Sequence, residues 1–371
     1  MPDPAPEPAF IPGLKLNGLF YREAVAPVLA RAFPGLRYGA ARIGSGSEVL
    51  GFDDRRSTDH EWGPRLILFL GGEEVGEVGE AIRATLREEL PHRFRGFPVS
   101  YGPPDDEGVS LPAWTDEGPV NHKVYVDTVA RFVEERLGLR SYPQLDVGDW
   151  LLCSEQGLLE VTAGEVYHDG LGELGAMRAA LAYYPRDVWL YLLAAQWTRI
   201  SQQEAFVGRT GEVGDDLGSR LVTAALVRDL MRLCFLMERR YAPYAKWFGT
   251  AFARLESAAR LRPALDGALA AGSWREREAH LGRAYTAVAE LHNGLGITAP
   301  LSTEVAPYHG RPFVTIRGER FAAAILARIE DPRVQTWPAG VGSVDQWVDS
   351  TDVLQRADRR ARLRTMYDEG R

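Results

Sequence analysis

A glycine- and serine-rich stretch precedes two closely spaced carboxylates. Residues 43–52 read IGSGSEVLGF. Eleven residues lie between Ser47 and Asp59, and one residue lies between Asp59 and Glu61. Glycines let backbone N–H groups approach phosphate oxygens, and adjacent carboxylates repel each other unless a cation lies between them. Because oxygen ligands suit Mg²⁺, the pattern predicts a phosphate-binding loop beside a magnesium site. The loop residues predicted to contact phosphate are Gly44, Ser45, Gly46 and Ser47.

Alternating sequence patterns predict that the carboxylates lie on strands. The segment Glu61 to Leu70 contains the apolar run LILFL and predicts a strand, and side chains two apart on a strand share a face. We therefore expect Asp59 and Glu61 to emerge side by side. In His122 to Val129, HKVYVDTV, the valines alternate with Lys123, Tyr125 and Asp127, which places a third carboxylate on another strand.

Length, charge and composition limit the class of protein. A chain of 371 residues predicts two or three domains. The net charge of −8 and the pI near 5.5 argue against extensive nucleic-acid binding. The proline-rich start lacks the basic and apolar order of a signal peptide, and no apolar stretch approaches the ~18 to 20 residues that span a bilayer. We therefore expect a cytoplasmic protein without membrane contact, and Cys153 and Cys234 should be reduced core thiols.

The first half of the chain predicts mixed structure. After an extended leader at 1–17, the expected helices are Gly18–Phe33, Glu77–Leu90 and Arg131–Leu137. The expected extended segments are Tyr38–Ile43, Glu61–Leu70, Phe94–Tyr101 and His122–Val129, followed by a short hairpin of Leu158–Val161 with Glu165–Tyr167.

The second half predicts a helical bundle. The expected helices are Ala176–Arg199, Leu217–Tyr241, Tyr244–Ala271 and Arg275–Gly294. The tail adds a strand at Arg311–Arg317 and helices at Arg320–Ile329 and Ser350–Tyr367. We therefore predict an α+β fold with a mixed sheet and flanking helices at 18–172, a bundle at 173–300 and a mixed C-terminal extension at 301–371 that packs on the rest.

The loop and the carboxylates together resemble the nucleotidyltransferase superfamily of DNA polymerase β and the kanamycin and lincosamide nucleotidyltransferases. That family has an apolar residue, Gly and Gly or Ser, then nine to thirteen residues and Asp-apolar-[Asp/Glu]-apolar. Here His60 stands where the family has an apolar residue. The chain also offers two Gly-Ser pairs, so either Gly44-Ser45 or Gly46-Ser47 would contact phosphate.

The resemblance implies a Mg²⁺-dependent transfer of a nucleoside monophosphate from a nucleoside triphosphate to a hydroxyl. It implies that Asp59, Glu61 and Asp127 are the catalytic metal ligands and that the Gly-Ser loop binds the β- and γ-phosphates. The helical half would then cover the site and select the acceptor. Lys246, between aromatic residues in YAKWF, would meet a phosphate. A general base, if the reaction uses one, would be Glu160 or Glu204.

A second resemblance covers most of the chain. The motifs GSGSEVLGFD and STDHEWGP, with LEVTA at 159–163, YYPRDVWL at 183–190 and YAKWF at 244–248, resemble a bacterial family known only as a domain of unknown function. This resemblance implies no substrate.

Two other functions compete with nucleotidyl transfer. A non-catalytic protein of toxin–antitoxin type would bind nucleotide or a partner with the same fold, although it would have no need to keep repelling carboxylates together. Phosphoryl transfer is disfavoured, because the sequence has no Walker lysine pattern and no kinase motifs. The acceptor stays open among a small molecule, a protein side chain and an RNA end, and the acidic charge favours the first two.

Overall fold

The computed structural model describes residues 8–59, 61–106, 108–143 and 145–367, with the side chain of Asp59 outside the described part. The described residues divide into two compact units. The first contains the residues up to 143 and Gly157–Ala182, and the second contains Leu145–Gln156 and the residues from Tyr183 onward. The chain therefore leaves the first unit and returns to it before the second unit is complete.

All strands of the main sheet belong to the first unit. The strands in chain order are β1 (Gly39–Arg42), β2 (Arg65–Phe69), β3 (Arg93–Phe94), β4 (Phe97–Pro98), β5 (Ser100–Tyr101), β6 (Pro112–Ala113), β7 (Lys123–Asp127), β8 (Glu165–Asp169), β9 (Ala306–Pro307) and β10 (Val314–Thr315). The main sheet has the order β7-β2-β1-β8, whereas β3 with β4, β5 with β6 and β9 with β10 form two-stranded ladders.

The helices fall in both units. In chain order they are α1 (Gly13–Phe20), α2 (Ala26–Ala32), α3 (Glu77–Glu89), α4 (Val129–Leu137), α5 (Asp149–Leu152), α6 (Glu155–Thr162), α7 (Glu173–Ala180), α8 (Arg186–Gln203), α9 (Phe206–Glu212), α10 (Asp216–Met237), α11 (Ala245–Phe252), α12 (Ala258–Ala270), α13 (Trp274–Gly294), α14 (Glu319–Leu326), α15 (Pro332–Gln335), α16 (Val344–Trp347), α17 (Thr351–Leu354) and α18 (Ala357–Ala361). The α+β class is confirmed, because a mixed sheet with flanking helices precedes a helical unit.

The sheet pairing places β7 and β2 side by side in parallel. Phe69 pairs with Asp127 at one end of the pair, and Arg65 pairs with Lys123 at the other. Strand β1 runs antiparallel to both β2 and β8. Leu68 belongs to the core shared with α1, α2 and α3, whereas the ring of Phe69 contacts that of Phe132 in α4 at 5.6 Å between centroids. Because neighbouring residues of a strand face opposite sides, these helices cover different faces of the sheet.

The N-terminal helix differs from the prediction in its start and its regularity. It begins at Gly13 rather than Gly18, because Leu16 and Phe20, one turn apart, are both fully buried. The predicted extended leader is therefore wrong for residues 13–17, and its residues 1–7 lie outside the described part. A π-helical turn at Tyr21–Val25 separates α1 from α2.

Two predictions near the proposed site are wrong. The segment before β2 is not a strand: Arg55–Asp59 form a 3₁₀-helix, and β2 begins only at Arg65. Gly63, with φ of 136°, and Pro64 interrupt an extended course there. The predicted hairpin at 158–167 is also wrong, because Glu155–Thr162 form α6 and only Glu165–Asp169 form a strand, which pairs with β1.

Three of the helices predicted for the second half of the chain are interrupted. The predicted helix 176–199 is interrupted before Pro185 and gives α7 and α8, and the predicted helix 244–271 gives α11 and α12. The predicted terminal helix 350–367 becomes α17, α18 and a 3₁₀ turn at Arg362–Met366. Asp215 caps α10 by accepting from the N–H of Gly218 at 2.8 Å.

The division into units differs from the predicted domain boundaries. Helix α7 stays with the sheet, so the change falls after Ala182 rather than after residue 172, and the tail from residue 301 belongs to the helical unit. Cys153 and Cys234 are both buried thiols that form no disulfide, as predicted. Among the described residues, no helix combines the length and apolarity that crossing a membrane requires.

Candidate active site

The Gly/Ser loop follows β1 and turns back on itself. Gly44 and Gly46 have φ of 90° and 142°, values that a side chain with a Cβ rarely adopts. The N–H of Gly44 donates to the carbonyl of Glu160 at 2.7 Å, so it is engaged within the protein. Ser45 is exposed, whereas Gly44 is buried. The two Gly-Ser pairs are therefore not equivalent, and Ser45 is the most accessible residue of the loop.

A buried ion network lies beneath the loop. Arg42 donates to the carbonyls of Ile43 at 2.6 Å and Ser45 at 2.5 Å and, through Nε, to Oε1 of Glu48 at 2.9 Å. Arg65 donates to the same Oε1 from Nη2 at 2.6 Å and from Nε at 3.1 Å. Burial acts to raise the pKa of Glu48, but the charges of Arg42 and Arg65 outweigh it and hold that pKa below its usual value. Two guanidinium groups thus share one carboxylate.

Glu61 lies before β2 in a left-handed conformation, with φ of 47°. Its Oε1 accepts from the N–H of Ser110 at 3.0 Å and contacts the ammonium of Lys123, and its Oε2 lies 3.4 Å from Nη1 of Arg65. Burial acts to raise the pKa of Glu61, but the bonds from Lys123 and Ser110 and the charges of Lys123 and Arg65 outweigh it and lower that pKa. The expected strand position is wrong, but Glu61 is held firmly by these partners.

Asp127 is the last residue of β7. Its Oδ1 accepts from the N–H of Thr128 at 2.8 Å and lies 3.5 Å from Nε of Arg131. Burial raises the pKa of Asp127 above its usual value, although the Thr128 bond and the Arg131 charge act in the other direction. The side chain of Asp127 is only 13% exposed. Asp127 is therefore a partly buried acid at the end of a strand.

One cavity brings these residues together. It has a volume of about 270 Å³ and is lined by Ser45, Glu61, Tyr125 and Asp127 together with four arginines and Glu135. The arginines are Arg42, Arg65, Arg131 and Arg136. Small-molecule pockets typically measure about 300 to 1,000 Å³, so this cavity suits a phosphate group with an ion better than a whole nucleotide.

The described residues contain no cluster of three or more His, Cys, Asp or Glu side chains placed to hold a metal. Asp59 ends the 3₁₀-helix Arg55–Asp59, and its side chain is outside the described part, as is His60. Glu61 and Asp127 line the same cavity, and carboxylate oxygens are ligands that suit Mg²⁺. Within the described part of the chain, Oε2 of Glu61 makes only the long contact to Nη1 of Arg65. Glu61 and Asp127 are therefore the described carboxylates that could hold a magnesium ion, and the three-ligand site with Asp59 stays a prediction.

Three predicted residues have other surroundings. Lys246 lies exposed on α11 in the second unit, with Nζ 5.0 Å from the ring centroid of Trp247, and its nucleotide contact stays a prediction. Glu160 lies on α6, not on a strand, and pairs with Arg136 at 3.1 Å. Glu204 accepts from the N–H groups of Ile316 at 2.7 Å and Gly318 at 3.2 Å, so this candidate base holds a loop of the second unit.

The sequence reading missed most of the cationic residues of the site. Arg42, Arg65, Arg131 and Arg136 come from two strands and one helix, and no local motif connects them. Lys123 and Tyr125 were detectable, because they alternate with valines on the face that carries Asp127. The alternation is confirmed, since Lys123 contacts Glu61, and Tyr125 and Asp127 line the cavity.

One stretch of the chain matches a known protein family. Residues 150–248, less than half of the chain, match the family described as "Domain of unknown function (DUF4037)". The predicted motifs at 159–163, 183–190 and 244–248 all fall within this match. None of the curated proteins compared with the chain matches it. Among solved structures, the chain is similar to a nucleotidyltransferase-like protein from Exiguobacterium sibiricum 255-15, with 10% identity, 74% of each chain covered and a TM-score of 0.31. A similarity at that level carries no argument about function.

Proposed function

We propose that this protein is a Mg²⁺-dependent nucleotidyltransferase, which moves a nucleoside monophosphate from a nucleoside triphosphate to a hydroxyl of a small molecule, a protein or an RNA end. The observation that carries the proposal is the convergence of Ser45, Glu61 and Asp127 on one arginine-lined cavity. Arginine guanidinium groups bind phosphates through paired hydrogen bonds. Carboxylates beside a polyanion are favourable only when a cation compensates their charge.

Each residue has a role in this proposal. Ser45, Arg131 and Arg136 would bind the β- and γ-phosphates, while Glu61, Asp127 and Asp59 would hold the ion. Bound there, Mg²⁺ would supply charge neutralisation and a lowered pKa for a coordinated hydroxyl. In the transfer, the acceptor oxygen bonds to the α-phosphorus and its hydroxyl proton passes to solvent water. The bond from that phosphorus to the bridging oxygen breaks, and pyrophosphate leaves with the electron pair of that bond.

A direct assay tests this proposal. The full chain is incubated with Mg²⁺, each of four α-labelled nucleoside triphosphates and fractionated acceptors, and both label transfer and pyrophosphate release are measured. We expect D127N and E61Q to lower the rate by about 100-fold or more, since metal-ion stabilisation is worth several kcal/mol and about 1.4 kcal/mol corresponds to tenfold. E89Q is the matched control, because Glu89 is a carboxylate of the first unit paired only at the surface with Arg31. Equal rates in all three variants would contradict the assignment of the site.

A second candidate function is nucleotide or partner binding without catalysis. The observation that favours it is the pairing of Glu61 with Lys123 and Arg65, which satisfies that carboxylate without a metal. This alternative predicts that a labelled nucleotide binds with the same affinity in the presence of EDTA and of Mg²⁺, and that no label is transferred. The enzyme proposal predicts weaker triphosphate binding in EDTA.

A further inference from the structure

Three buried charged residues support the Gly/Ser loop: Glu48 within the motif, and Arg42 and Arg65 outside it. We propose that Arg42 and Arg65, sharing the single carboxylate of Glu48, give the loop a fixed net positive charge and thereby make it an inorganic-polyphosphate-binding element. The three residues are then positioning residues. This inference rests on the proposed function, because it assigns the source of the charge that would hold the leaving pyrophosphate.

The first support is the count of charges. Arg42 is 5% exposed, Arg65 is 7% exposed and Glu48 is 1% exposed. Water therefore screens the charges of these side chains only weakly. Both guanidinium groups bond to one oxygen, Oε1 of Glu48. Arg42 and Arg65 also line the cavity. Arg65 also approaches Glu61, which contacts Lys123. The connected network therefore has three cations, Arg42, Arg65 and Lys123, and two carboxylates, Glu48 and Glu61, so one positive charge remains at the wall of the cavity, where an anion would be stabilised.

The second support is the orientation of the backbone groups of the loop. Arg42 donates to the carbonyls of Ile43 and Ser45, so the carbonyl side of this turn faces the buried network. In the described structure, the N–H groups of Ser45, Gly46 and Ser47 donate to no protein acceptor, and all three residues are at least partly exposed. Successive N–H groups in such a turn form an anion-binding concavity.

The third support is the close fit of the loop to the network. A Cβ on Gly46 would lie 2.5 Å from Oε2 of Glu48 and 2.6 Å from Nη2 of Arg42. Both atoms belong to buried, hydrogen-bonded side chains that have little freedom to withdraw. The backbone therefore lies directly on the charged groups, with no space for a screening side chain or water layer.

The test measures binding of inorganic tripolyphosphate to the full chain by calorimetry, separately from any transfer assay. R42Q and E48Q change the charge in opposite directions with similar size of side chain. We expect R42Q to weaken binding about tenfold and E48Q to tighten it several-fold, since a nearby charge acts strongly in a poorly solvated site. R31Q is the control for total charge, because Arg31 is an exposed arginine of the same unit, and we expect it to bind like the wild type.

A purely structural role of the network predicts that both R42Q and E48Q bind more weakly. A folded E48Q protein that binds tripolyphosphate no more tightly than the wild type therefore overturns the inference, as does a wild type that does not bind it. If E48Q does not fold, R42K decides: it keeps the charge and should bind more tightly than R42Q, whereas equal affinities overturn the inference. Failure of nucleotidyl transfer with this order of affinities intact would reject the proposed function alone.

Discussion

The ammonium group of Lys123 contacts the carboxylate of Glu61, and Arg65 approaches the other oxygen of that carboxylate. Lys123 and Arg65 are direct partners in the parallel pair of β7 and β2, so two neighbouring strands present cations to one acid. Lys123 also lies over the ring of Tyr101, with 4.7 Å from Nζ to the centroid. Glu61 is therefore compensated by the protein before any metal binds.

Removal of Lys123 should make Glu61 a better metal ligand. In K123M the contact to Oε1 is lost while the length of the side chain is preserved, so we expect tighter Mg²⁺ binding, by about tenfold, the size of a typical charge-assisted hydrogen bond. Magnesium titration followed by calorimetry measures this. K123R keeps the charge and should resemble the wild type. An unchanged magnesium affinity in K123M would show that Glu61 does not bind the ion.

Gly46 should not tolerate a side chain. G46A places a Cβ against the buried ends of Arg42 and Glu48 at a φ of 142°, and strained backbone of this kind costs about 1–3 kcal/mol. We expect a loss of at least that size in the free energy of unfolding, measured with denaturant. Gly72 is the matched control, because a Cβ there meets nothing within 4 Å. Equal stabilities of G46A and G72A would mean that the loop relaxes freely.

The Asp53 carboxylate should stabilise the folded protein. Its Oδ2 accepts from the N–H of Gly13 at 2.7 Å, at the start of α1, and from Nε1 of Trp62 at 3.1 Å. D53A leaves both donors without this partner, and a lost buried partner costs about 1–3 kcal/mol. Thermal unfolding measures the effect. The exposed E73A should change stability by less than about 0.5 kcal/mol, and a D53A protein as stable as E73A would contradict the prediction.

Glu204 should make stability depend on pH. Burial raises its pKa from 4.5 to about 7, against the N–H groups of Gly318 and Ile316. Between those two values the unfolded chain releases the proton and the folded chain keeps it, so stability falls as pH rises, and the loss is complete above pH 7. We expect the wild type to lose roughly 3 kcal/mol relative to E204Q between pH 4.5 and 8. Denaturant unfolding at several pH values measures both slopes, and parallel slopes would contradict the prediction.

The sequence predicted the elements that have strong local patterns. Strand β7 and helix α3 lie close to their predicted bounds, because alternation and four-residue periodicity specify them directly. The alternation also placed Lys123, Tyr125 and Asp127 on one face correctly. Residues 158–161, LLEV, are few and mostly apolar, a pattern that periodicity alone cannot assign to a strand or a helix. They were predicted as a strand, but they lie within helix α6.

Long-range contacts decide what the sequence left open. The position of Glu61 depends on Lys123 and Ser110, which are 62 and 49 residues away in the chain, and no local rule predicts such contacts. The network under the Gly/Ser loop likewise joins Arg65 to Glu48 across 17 residues. The motif was enough to predict where the cavity lies. The positive charge of the cavity comes from arginines outside the motif, which the motif could not predict.

The return of the chain to the first unit has a consequence for synthesis. Strand β8 pairs with β1 but follows the excursion of Leu145–Gln156 into the second unit. During translation, one edge of β1 stays unpaired until residue 169 has left the ribosome, long after β7 is available. Exposed strand edges favour aggregation, so a fragment that ends before β8 should be insoluble even though it contains the loop, Glu61 and Asp127.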